Sequence, residues 1–144
     1  MLTIIYSSHA TDQLAMAQRG LEHLLAASRT RNLQRGITGL LLFRDGIFIQ
    51  LLEGETADVR CVYRLICEDP RHHSPVKLLE EPMSSRRFPG WSMGYQVLSD
   101  RDLRYLDPTP DSGAKPVLDP LRLLAAPEQL ATLIRNFEPQ GSST

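Results

Sequence analysis

A chain of 144 residues, 42% hydrophobic and 23% charged, can bury one ordinary domain core, which excludes wholesale disorder. Its net charge of -1 offers no basic field for phosphates and argues against a generic nucleic-acid partner. No charged segment leads into an apolar run, and no apolar run reaches the roughly 18 residues of a membrane span, so the expectation is a soluble cytoplasmic protein.

Residues 2–7 (LTIIYS) are β-branched and aromatic and predict a first strand. Thr11 or Asp12 can cap a helix whose stripe is Leu14, Ala17, Leu21, Leu24, Leu25 and Ser28, ending near Arg31 and Asn32 before Gly36. Residues 37–43 and 47–52 predict two strands joined by Asp45-Gly46, a pair suited to a tight hairpin turn. Both runs are apolar on both faces, so both faces need cover. Thr56 can cap a second helix with Val59, Val62, Tyr63 and Ile66 inside, stopped by Pro70. Residues 76–79 predict a fourth strand, and residues 91–98 a fifth after Pro89-Gly90.

The order β-α-β-β-α-β-β predicts a ferredoxin-like α+β sandwich: a five-stranded mixed sheet with two helices on one face. Residues 107–113 (DPTPDSG) are a loop or linker, and residues 121–137 carry a further helix interrupted at Pro127. The expected division is residues 1–98 as the domain and 99–144 as a C-terminal segment on the far face, covering Ile49 and Leu51, with a frayed tail. Cys61 and Cys67, six apart, form neither a redox pair nor a zinc half-site and are expected as small core residues. Adjacent His72 and His73 make a poor metal site, and Arg86-Arg87 are expected in a solvated turn.

One residue breaks the apolar pattern. Gln50 shares a strand face with Phe48 and Leu52, and an amide buried without partners costs about 1–3 kcal/mol. Tyr6, on the strand that the ferredoxin-like order places alongside, and Ser28 and Asn32, at the end of the first helix, can converge on it. Two readings follow: a self-satisfied polar cluster, or a planar ligand sandwiched between the helices with amides reading its rim.

These residues sit in motifs. LTIIYSS holds Tyr6, ASRTRN holds Ser28 and Asn32, GITGLLLF follows, FIQLLEG holds Gln50, EDPRHHS holds Asp69, Arg71 and His72, and FPGWSMGY holds Trp91 and Met93. In this order, over about residues 2–98, the chain resembles the BLUF family, blue-light sensors that use flavin. The resemblance implies non-covalent FAD, with FMN possible, between the two helices. Asn32 would hydrogen-bond the carbonyl and N3 edge of the ring, and Gln50 would stand between the Tyr6 hydroxyl and flavin N5/O4. Ile37 and Ile66 would pack on the ring. Asp69, Arg71 and His72 would contact its edge or the ribityl-phosphate arm. Arg31 stands where a neutral Asn or a His is common; it adds a cation near the arm or points to water.

The resemblance also implies a mechanism. Tyr6 gives up an electron under blue light and its proton follows through Gln50. After recombination the Gln50 amide is left rotated or tautomerised, with a stronger bond to flavin O4 and a small red shift. Trp91 and Met93, two apart, are expected on one face of the fifth strand as the signal relay. The reading is a photosensor and not an enzyme, signalling to an unidentified protein partner and forming a homo-oligomer. The rival readings are a small flavin reductase, for which no dinucleotide fingerprint is visible, and a colourless ferredoxin-like ligand or RNA binder.

Overall fold

The computed structural model describes residues 1–10, 18–69, 72–106, 118, 123–124 and 127–138. Five strands, β1 (Leu2–Ala10), β2 (Thr38–Arg44), β3 (Ile47–Gly54), β4 (His72–Pro82) and β5 (Gly94–Val97), form one sheet in the order β4-β1-β3-β2-β5. All neighbours are antiparallel except β2 and β5, which are parallel. Among the described residues four helices accompany it: α1 (Gln18–Arg35), α2 (Thr56–Glu68), α3 (Asp100–Leu106) and α4 (Pro127–Asn136). This is the ferredoxin-like arrangement with one added edge strand, as the element order predicts.

Local chemistry sets the joints. Gly36 ends α1 in the left-handed region (φ 66°), and the Ile37 N–H returns to the Asn32 carbonyl at 2.8 Å, so the chain leaves the helix already turned toward β2. Asp45 (φ 49°) and Gly46 (φ 80°) both take positive φ, the requirement of the tight turn that matches strand twist. This turn fixes the β2–β3 register, with Leu41 opposite Gln50.

The sheet separates two apolar layers. On one face Ile4, Tyr6, Phe48 and Leu52 pack with Leu24 and Leu25 of α1 and with Val59, Val62 and Ile66 of α2. On the other, Ile5, Leu40, Leu42, Ile49 and Leu51 pack with Leu103, Leu106, Leu118, Leu123, Leu130, Leu133 and Ile134. The C-terminal segment therefore covers Ile49 and Leu51. Each buried Leu or Ile contributes about 1.5–3 kcal/mol, which accounts for strands apolar on both faces.

Several expectations need correction. The start expected for α1 at Thr11 or Asp12 lies outside the described residues, as does Pro70. Glu55 is the N-cap of α2, without a side-chain cap bond, and Thr56 is already helical. β4 is longer than expected and β5 shorter, beginning only at Gly94. Cys61 is half-buried and Cys67 exposed, so Cys67 is no core residue. Helix α3 was not expected. A reciprocal cap starts it: Ser99 N–H donates to Asp102 Oδ2 (2.9 Å) and Asp102 N–H to Ser99 Oγ (3.1 Å).

Arg86 and Arg87 do not lie in a solvated turn. Glu53 at the end of β3 is fully buried and accepts hydrogen bonds from Arg87 N–H (2.8 Å), Phe88 N–H (2.7 Å) and Thr38 Oγ1 (2.9 Å). Arg86 Nη1 donates to Thr38 Oγ1 and the Glu53 carbonyl, and Nη2 to the Gly36 carbonyl. A buried carboxylate held by that many donors is compensated for its lost hydration. It fixes the connection from β4 to β5 onto the ends of β2 and β3.

Candidate functional site

Tyr6 and Gln50 are register partners on adjacent antiparallel strands, and both point to the helical face. The Tyr6 hydroxyl donates a short hydrogen bond to Gln50 Oε1, with the ring fully buried. Burial pushes the Tyr6 phenol far above its ordinary pKa; the Arg31 charge opposes this and Cys67, Tyr63 and Asp69 add to it. Tyr6 therefore keeps its proton, and any oxidation of the ring must release that proton to the acceptor it already touches. Gln50 Nε2 donates to Met93 Sδ at 3.3 Å. A thioether is a weak acceptor, so this half of the amide is loosely held.

Beside this pair a small cleft, open to solvent, is lined by Leu24, Ser28, Arg31, Leu41, Gln50, Ile66 and Asp69. Ser28 and Arg31 come from α1, Ile66 from α2, and Asp69 caps the C-terminal end of α2. Asn32 is fully buried at the same end of α1; its Nδ2 donates to the Ser92 carbonyl at 2.6 Å, and its Oδ1 has no donor among the described residues. A buried amide oxygen left so costs about 1–3 kcal/mol unless a ligand supplies a donor. An isoalloxazine ring fits this set: apolar walls from Leu24, Leu41 and Ile66, an acceptor at Asn32 for a ring N–H, and a turnable amide at Gln50.

The remaining expected residues are distributed as follows. Ile37 is buried in the helical-face core but is not part of the cleft lining. Arg71 lies outside the described residues; the backbone of His72 opens β4 opposite Ala10, and its side chain is not described. Trp91 and Met93 do not share a face. Met93 is buried with Tyr6 and Ile66, whereas Trp91 packs with the opposite layer, its ring 5.5 Å from that of Phe88. Alternation fails because 91–93 precede β5: Gly90 takes φ 82° and the Trp91 carbonyl accepts from Gly39 N–H outside the regular ladder.

The sequence places Tyr63 only on the inner side of its helix. It stands edge-on to Tyr6 with ring centres 5.3 Å apart, and its hydroxyl is pushed up to about 12, chiefly by burial, with the neighbouring Cys67 adding to the rise. Arg29 and Glu53 also bear on the site through the segment they hold, and nothing in their sequence neighbourhood reveals it. Among the described residues, no group of three His, Cys, Asp or Glu side chains is placed to hold a metal ion, and no helix is long and apolar enough to cross a membrane.

A ferredoxin-like sandwich with a buried phenol–amide pair beside a cleft between α1 and α2 is an arrangement suited to a cofactor-binding sensor. The chain belongs to the BLUF family, "sensors of blue-light using FAD", whose family model matches residues 1–94. The blue light- and temperature-regulated antirepressor BluF of Escherichia coli (strain K12) is 41% identical over 88 residues, 61% of this chain and 21% of that protein. The chain spans about a fifth or less of the length of the curated relatives it matches. The dark-state structure of BlrB, a BLUF protein, is 34% identical, covers 93% of this chain and 92% of its own, and superposes with a TM-score of 0.69. BlsA in its ground state superposes with a TM-score of 0.75 over 96% of this chain and 91% of its own; at 23% identity it shows the fold alone.

Proposed function

We propose that the chain senses blue light through FAD held between α1 and α2, and that Tyr6 and Gln50 carry the photochemistry. The observation that supports this most directly is the buried Tyr6–Gln50 hydrogen bond beside the cleft. Flavin, when bound, supplies blue-light absorption and a one-electron acceptor. Tyr6 gives up an electron, and its proton passes to Gln50, the acceptor that its hydroxyl already touches. The electron and a proton then return to Tyr6, so no net redox change remains, and the Gln50 amide ends in a different orientation or tautomer. Nε2 can leave Met93 readily, since that bond is weak.

In this reading Asn32 presents Oδ1 to the polar edge of the ring. Ser28, Arg31 and Asp69 line the side toward the ribityl arm, a role we also assign to Arg71 and His72. Ile66 packs on the ring and Ile37 supports it from below. FMN would satisfy the same ring contacts. Residues 1–98 act as the photosensor and 99–144 as the output segment. The chain is a sensor and not an enzyme, works in the cytoplasm, forms a homo-oligomer and signals to a protein partner. That the E. coli relative is by name an antirepressor supports output through protein contacts.

Swinging a partner from 1:99 to 99:1 needs about 5.5 kcal/mol, and one rearranged hydrogen bond supplies about 1 kcal/mol. The output is therefore graded, or amplified by the C-terminal segment and oligomer contacts. The test is the absorption spectrum in the dark and just after blue light. A yellow protein with a small reversible red shift is expected. A protein that bleaches and stays reduced, or a colourless one that refuses added flavin, would overturn the reading.

A further inference from the structure

The segment that joins the β4–β5 connection to β5 is tied to α1 by two consecutive carbonyls. Asn32 Nδ2 donates to the Ser92 carbonyl at 2.6 Å, and Arg29 Nε donates to the Met93 carbonyl at 3.1 Å. Arg29 and Asn32 are three apart and so lie on the same face of α1. On either side the chain is fixed to the sheet: Gly39 N–H donates to the Trp91 carbonyl at 3.0 Å, and Gly94 pairs with Leu40 in β5. Residues 92–93 bridge two sheet-anchored points, and side chains of α1 set their position between them.

We propose that Arg29 is a positioning residue that holds Met93 against Gln50 in the resting state. This rests on the photosensor reading above. Met93 has two ties, its sulfur to Gln50 and its carbonyl to Arg29. The sulfur bond is the weak one, whereas the guanidinium–carbonyl bond is charge-assisted. When the Gln50 amide turns, the sulfur tie is lost and the Arg29 tie remains. Met93 then stays within reach of Gln50, and the resting bond re-forms without a search by the 92–93 backbone. Arg29 acts on the rate of return, through Met93, and touches neither Tyr6 nor Gln50.

The test uses the full flavin-loaded chain with Arg29→Met, which keeps a long apolar stem without donors, and Arg29→Lys, which keeps the charge and a donor. Arg29 is exposed, so both variants leave the core intact. Arg29→Met is expected to slow dark recovery about threefold to tenfold, the range that loss of one hydrogen bond gives. It is also expected to speed amide hydrogen exchange over residues 91–95 in the dark by a similar factor. Arg29→Lys is expected to stay within about twofold of the parent, as a single donated bond predicts. Recovery and exchange unchanged in Arg29→Met, faster recovery, or equal effects of Met and Lys would overturn the role of Arg29. A parent chain with no reversible red shift would overturn the photosensor reading instead, and the exchange measurement would still test the Arg29 tie.

Discussion

The hydroxyl of Tyr6 reaches the side-chain oxygen of Gln50 across two adjacent strands, and the strand register itself makes the pair. The two residues are 44 positions apart in sequence, yet antiparallel pairing sets them directly opposite on one face. Their contact thus depends on the sheet and not on flexible loops. It places a proton donor, its acceptor and a cleft in fixed order.

Removing either partner should separate binding from response. Tyr6→Phe keeps the ring and its packing but removes the electron donor's labile proton; flavin should stay bound and the light-induced red shift should vanish. Gln50→Leu should do the same, because the group that takes the proton and turns is gone. Difference spectra before and after illumination measure this, and a normal photocycle in either variant would refute the assigned roles.

Asn32→Ala should weaken flavin retention by about tenfold, the equivalent of one hydrogen bond. Equilibrium titration of the apoprotein with FAD measures it. Undiminished affinity would show that the unpartnered Asn32 oxygen does not serve the ring.

Glu53→Gln should destabilise the fold by about 1–3 kcal/mol, although the side chain keeps its shape. Both carboxylate oxygens accept hydrogen bonds from the same protein segment or from Thr38, and an amide turns one of them into a donor facing an N–H or O–H. Urea unfolding gives the difference. Parent-like stability would mean that the Glu53 clamp contributes little.

Alkaline pH should unfold the protein earlier than ordinary tyrosines would predict. Tyr63 titrates near 12 in the folded chain and Tyr6 higher still, against 10.0 for an unperturbed phenol. Both folded values lie above the unfolded one, so their contribution is complete below about pH 10. It is lost as pH rises from there, because the unfolded chain releases protons that the native chain keeps. Unfolding free energies measured from about pH 9 to 12 should fall steadily, whereas a flat profile would contradict the burial of these phenols.

Much of this was legible in the sequence because strands obey a period of two. The alternation in β3 assigns Gln50 to one layer and Ile49 and Leu51 to the other without any tertiary information. What stayed hidden depends on contacts distant in sequence. Glu53 reads as one more residue on the far face; its backbone donors lie 34 and 35 positions on, in a connection with no local pattern. Trp91 and Met93 read as strand neighbours because Pro89-Gly90 marks a turn but not where it ends. Helix α3, seven residues long, is too short to show a period, and only its Ser99–Asp102 cap could have announced it.

Trp91 has a use that follows from its position. It is the only tryptophan in the chain, and its ring lies against Gly94 and Phe88 among residues of the layer opposite Tyr6 and Gln50. Indole emission therefore belongs to a single place, under the C-terminal cover. The protein carries two colour channels: visible absorption for events on the helical face, and ultraviolet fluorescence for the packing behind the sheet. The interval between their changes after one flash would time the passage of the signal through a wall one strand thick.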